Sequence, residues 1–108
     1  MKIIELNKEN QINKVLRDQR KEKSRIHILF HSPQWDEYAK ELNDAIKLKY
    51  SNLKNPTDVK LYLIDTFDMP HSYMIFKTTK CPELISISSD DVMRTDYLPN
   101  IYKRLELS

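Results

Sequence analysis

Apolar and polar positions follow two periods along this chain, and their alternation marks out the elements. Lys2 to Leu6 is short and apolar at Ile3, Ile4 and Leu6, so it reads as a strand. Asn7 follows as a good N-cap. Ile12, Val15 and Leu16 then fall at i, i+3 and i+4, one face of a helix that dissolves into QRKEKS near Ser24. RIHILFH, Arg25 to His31, returns to the strand period. Ile26, Ile28 and Phe30 share one face and Leu29 lies on the other, which predicts a central strand covered on both sides.

Ser32-Pro33 has the form of a helix start, a hydroxyl N-cap followed by proline at the first helical position. Trp35, Tyr38, Leu42, Ala45, Ile46 and Tyr50 continue at helical spacing, with Asp36, Glu37, Lys40, Glu41 and Lys47 on the wet side. Ser51 to Pro56 reads as a loop. Val59 to Ile64 is a third strand. Asp65 to Pro70 is a loop with Asp68 as a cap, and a short helix is expected from His71 to Lys77. Glu83 to Ser88 and Asp91 to Thr95 are two further strands. Leu98, Ile101, Tyr102 and Leu105 close the chain in a helix. The order β-α-β-α-β-α-β-β-α predicts an open α/β mixed sheet of four to five strands with helices on both faces. At 108 residues this is expected to be a single domain, 1–108.

Composition narrows the chemistry. The chain has no glycine. Average usage of roughly 7% predicts about eight. Phosphate loops, dinucleotide fingerprints, nucleophile elbows and EF-hand loops all need glycine, so none is present. One cysteine, Cys81, excludes an internal disulfide, a CxxC pair and a cysteine zinc cage. A net charge of +2 falls well short of a dedicated nucleic-acid module. No stretch reaches the roughly 20 apolar residues of a membrane span. MKIIELNKEN turns polar too early for a signal peptide, so a reducing, cytoplasmic location without a targeting signal is expected.

Three segments resemble the thioredoxin family: FHSPQWDEYAKEL from Phe30 to Leu42, YLIDTFDMP from Tyr62 to Pro70, and TKCPELISI from Thr79 to Ile87. The resemblance spans nearly the whole chain and implies a thioredoxin-like fold. It implies that Pro82 takes the place of the family's cis proline, so that the Cys81–Pro82 bond is cis. It also places Trp35 and Tyr38 at the two catalytic cysteine positions, where the motif reads W-D-E-Y. The family's buried acid falls near Leu29, which cannot ionise. The dithiol–disulfide reaction needs both thiols. The resemblance therefore implies the scaffold without its usual chemistry, and a fold does not carry a function with it.

Each candidate residue has a competing structural account. Trp35 and Tyr38 fit an aromatic contact surface, yet their spacing with Leu42 equally fits packing over the sheet end. Cys81 is the alternative catalytic residue. A one-thiol redox or thiol-transfer role would need a lowered pKa from the second helix's N-terminus. A lone cysteine is ordinarily a small buried hydrophobe, and that is the expectation here. His27 and His31 lie four residues apart on one strand, about 13 Å, too far to share a metal ion. A His31–His71 pair would need a third ligand, so no metal is expected and the histidines are read as polar or solvent-facing. Ser32 and the SSDD run from Ser88 to Asp91 weakly suggest a glutathione site, but an N-cap and a turn explain them. Lys14, Arg17, Arg20, Lys21, Lys23 and Arg25 make the first helix basic. Asp18 and Glu22 interrupt that run, and it reads as a solvated face. The expected function is a protein- or peptide-binding module without cofactor. Its surface would be Ser32, Gln34, Trp35, Tyr38, Cys81 and Pro82, with Asp68 to His71 beside them. The alternatives are a thiol–disulfide oxidoreductase or thiol-transfer enzyme using Cys81 alone and, third, a nucleic-acid-associated subunit using the basic first helix; nucleic acid and membrane are disfavoured as partners.

Overall fold

The computed structural model of the protein describes residues 1–50, 59–78 and 80–107. Along the chain lie β1 (Lys2–Leu6), α1 (Glu9–Glu22), β2 (Arg25–His31), α2 (Glu37–Tyr50), β3 (Lys60–Asp65), α3 (Ser72–Phe76), β4 (Glu83–Ser88), β5 (Asp91–Thr95) and α4 (Leu98–Arg104). The order is the one the hydrophobic pattern predicts. The loop expected at 51–56 lies outside the described residues. One sheet runs β1-β3-β2-β4-β5. The first three of these strands are parallel, β4 runs antiparallel to β2, and β5 runs antiparallel to β4.

The period-two alternation of the inner strands builds two cores. Ile26, Ile28 and Phe30 of β2, Tyr62 and Ile64 of β3 and Ile85 and Ile87 of β4 point to one face. Ile12 of α1 and Phe76 of α3 cover them, and the Phe30 and Phe76 rings meet edge to face at 4.8 Å. Leu29, Leu61, Leu63 and Leu84 point the other way, under Leu42 and Ile46 of α2 and Ile101 of α4. Arg94 fastens α3 to the sheet. Its guanidinium meets the buried Glu83 at 2.9 Å and donates to the Phe76 carbonyl at 2.7 Å. Among the described residues no helix is long and apolar enough to cross a membrane.

The helix starts depart from expectation. Asn7 does not cap α1. Instead the Gln11 side-chain oxygen reaches back to accept from the backbone N–H groups of Asn7 and Lys8. Ser32-Pro33 does not open α2. The N–H groups of Trp35 and Asp36 both donate to the Ser32 carbonyl, which closes a turn over residues 33–35. Asp36 then accepts from the Tyr38 N–H at 2.9 Å, and the helix begins at Glu37. Asp68 caps nothing, because α3 starts from His71 without a side-chain cap. The histidines of β2 are buried, not solvent-facing. His31 donates from Nδ1 to the Ile64 carbonyl at 3.0 Å, and its Nε2 lies 3.1 Å from the Asn43 amide.

Without glycine, other residues occupy the left-handed region. Lys23 and Lys77, each the C-cap of a helix, have φ of 52°, and Ser89 has φ of 55°. A Cβ makes that conformation costly by about 1–2 kcal/mol, against about 0.5–1 kcal/mol of extra chain entropy lost by glycine. Lys23→Gly and Lys77→Gly should each therefore raise the unfolding free energy by about 0.5–1 kcal/mol in urea titrations. A loss of stability would show that the caps carry no such strain.

His27 predicts an acid-sensitive fold. Burial, with Arg25 and Arg104 adding to it, lowers its pKa from 6.5 to about 4, and its Nδ1 sits 2.7 Å from the Ser86 hydroxyl. Between those two values the unfolded chain binds the extra proton and the folded chain does not, so stability falls as pH drops. The loss should reach about 1–2 kcal/mol once solvent screening is allowed for. His27→Gln should flatten that part of a stability–pH profile. An unchanged slope would assign it to other groups.

Candidate functional site

Strand register brings the candidate residues together. His31 at the end of β2 pairs with Asp65 at the end of β3, and Phe30 pairs with Glu83 at the start of β4. Whatever follows the first two strands and precedes the third must meet at that sheet end. Ser32, Thr66 and Cys81 do so. The Ser32 hydroxyl lies 2.5 Å from the Thr66 hydroxyl and 3.3 Å from the Cys81 sulfur. Ser32 thus has a hydroxyl–thiol role in place of the expected N-cap. Cys81 is exposed, against the expectation of a buried thiol, because it stands in the loop before the strand and not on a face of the sheet. The Cys81–Pro82 peptide is cis and Pro82 is half-buried.

Tyr73 of α3 completes this cluster and was invisible in the linear pattern. Burial pushes its phenol above the ordinary value. The neighbouring Cys81 adds to the rise, and the Thr66 and Ser32 hydroxyls oppose it. The group of Ser32, Thr66, Tyr73 and Cys81 offers hydroxyl and thiol donors at a half-open sheet end. Among the described residues no cluster of three or more histidine, cysteine or acidic side chains could hold a metal ion. His71 is exposed at the start of α3 and both ring nitrogens of His31 are engaged, so the two do not form a site.

Beside the cluster stands an aromatic platform. Trp35 is 74% exposed and Tyr38 is 67% exposed, so neither packs over the sheet as the helical spacing with Leu42 allowed. For Trp35 the reason is the turn closed by the Ser32 carbonyl, which takes it out of the helix altogether, whereas Tyr38 lies in the first turn of α2. Trp35 instead meets Phe67 edge to face at 5.5 Å, and Phe67 is itself 54% exposed. Gln34 holds the two loops in place. Its amide donates to the Asp65 carboxylate at 2.8 Å and lies 3.3 Å from Asp68. Asp65 also accepts from the Phe67 N–H at 2.9 Å. Phe67 was not singled out from the sequence. An apolar residue inside an acidic loop, DTFDMP, was the available signal. Lys14, Arg17, Arg20 and Lys21 are exposed on α1.

No protein-family model matches the chain, and no curated protein matches it in sequence. Solved structures do. Thioredoxin O2 from Arabidopsis thaliana superposes with a TM-score of 0.70 at 15% identity, covering 96% of this chain and 91% of that one. The Schistosoma mansoni thioredoxin gives 0.72 at 13% identity, with 97% and 94% covered. A poplar thioredoxin h gives 0.71 at 10% identity, with 98% and 95% covered. At such identities the likeness speaks for the fold. The chain has the thioredoxin fold, with Cys81 as its single cysteine and therefore no pair for an intrachain dithiol reaction.

Proposed function

We propose that this chain is a redox-inactive thioredoxin-fold module that binds a protein or an extended peptide at the carboxyl ends of β2 and β3. The observation that carries the reading is the exposed Trp35–Phe67 pair, held by Gln34 where open α/β sheets usually take ligands. Rings left in water at a fixed place cost hydration free energy that a partner relieves. A buried ring covers about 150–250 Å², a gross contribution of several kcal/mol before ordering costs. Tyr38 extends the surface along α2, and Ser32, Cys81 and Pro82 border it. A reducing compartment such as the cytoplasm suits an exposed free thiol.

Exposure of Cys81 favours a second reading, thiol transfer. Its thiolate would attack a partner's disulfide, forming one mixed disulfide and releasing one thiolate. No second cysteine in the chain would resolve that bond. Reaction of the native protein with an aromatic disulfide separates the readings. A rate near that of free glutathione fits the binding module, and an acceleration of about tenfold or more would favour transfer chemistry.

Trp35→Ala tests the main reading. It should leave the unfolding free energy within about 0.5 kcal/mol of the parent, since the ring touches little of the core. It should weaken a captured partner by at least about 2 kcal/mol, roughly 30-fold in calorimetry. Equal affinity of parent and variant for every captured partner would remove the platform from the binding face.

A further inference from the structure

Resting on the reading of Trp35 as a contact anchor, we propose that the segment it binds is a cationic peptide with interspersed apolar residues, arginine over lysine. Charge around the rings sets this preference. A groove of about 690 Å³ beside Trp35 carries Asp36, Glu37 and Asp44 against Lys40 alone. A second, of about 380 Å³, carries Glu5, Asp65 and Asp68 against Lys47. Pro33 and Asn43 line both, so the grooves are contiguous. Lys47 is already spent on Glu5 at 2.7 Å. Five carboxylates then face one lysine, a local charge of about −4 on a chain whose total is +2.

Among the described residues no ion pair neutralises these five carboxylates: the ion pairs are Lys47–Glu5, Lys80–Asp96 and Arg94–Glu83, and none includes them. Asp36, Asp65 and Asp68 accept only from backbone N–H groups and the Gln34 amide, which fix their positions and leave their charge. Their mutual repulsion is relieved by a cation from outside. Aromatic faces add a second preference, because a guanidinium stacks on an indole and an ammonium does so less well. An acidic or neutral apolar segment would bury the rings but leave the carboxylates facing one another.

Selection from a random displayed-peptide library on the immobilised full chain tests this. Binders lost on Trp35→Ala should be enriched in arginine together with apolar residues. Glu37→Gln with Asp44→Asn, both at exposed side chains, should weaken those peptides about fivefold or more in low salt, and the gap should narrow in high salt. Trp35-dependent binders that are acidic or uncharged, or that ignore the double variant, would overturn the charge inference while the binding platform stands. Failure to find any binder that depends on Trp35 would overturn both. Sedimentation of the full chain covers the remaining occupant. A dimer that dissolves on Trp35→Ala would give the face to a second copy, through its basic α1, and overturn the proposal. A monomer under the same conditions supports it.

Discussion

Burial of β2 on both faces governs the rest of this structure. A strand flanked by β3 on one side and β4 on the other, with helices above and below, can slip by one residue only by exchanging its two apolar sets. Ile26, Ile28 and Phe30 would then trade places with His27, Leu29 and His31. The register is thereby fixed, and with it the partners of the strand's last residue. His31 opposite Asp65, and Phe30 opposite Glu83, bring the Ser32 turn, the Thr66 loop and the Cys81–Pro82 loop to one place. The end of the molecule that carries the candidate site is a consequence of core packing more than of any local motif.

What gathers there differs from the chemistry usually built at this point of a thioredoxin fold. A single thiol stands among three hydroxyls, and an indole and a phenol occupy the places the resemblance gives to cysteines. The loops are held by charge-assisted hydrogen bonds from Gln34 to Asp65 and Asp68. Such bonds are stronger than neutral ones, and here they present Trp35 and Phe67 as a preformed unit. A rigid ring pair lowers the ordering cost of association. The scaffold is that of thioredoxins, and the proposed contact surface would be a different site on it, in keeping with function residing in sites and not in folds.

Strands and the two cores were legible in the sequence because period-two burial is a direct readout of side-chain alternation. The bounds of β1, β2, β4 and β5 match those read from the sequence residue for residue, although the largely exposed β5 shows no such alternation. Caps were not, since Ser32 and Asp36 are both capable N-caps and only the turn closed by the Ser32 carbonyl decides between them. That one decision also hid the exposure of Trp35. Phe67 and Tyr73 escaped because each joins the site through tertiary contact from another loop or helix. The acidic face escaped because its carboxylates come from four segments, while a whole-chain charge of +2 averages them away.

Trp35 stands in water, paired edge to face with Phe67. It is the only tryptophan in the chain, so intrinsic indole emission reports on this site alone. A ring in that position should give a native emission maximum close to that of the denatured protein, with near-complete quenching by acrylamide. A native maximum shifted well to the blue and protected from acrylamide, moving to the red on unfolding, would place the ring in an apolar interior and rule out the exposed platform.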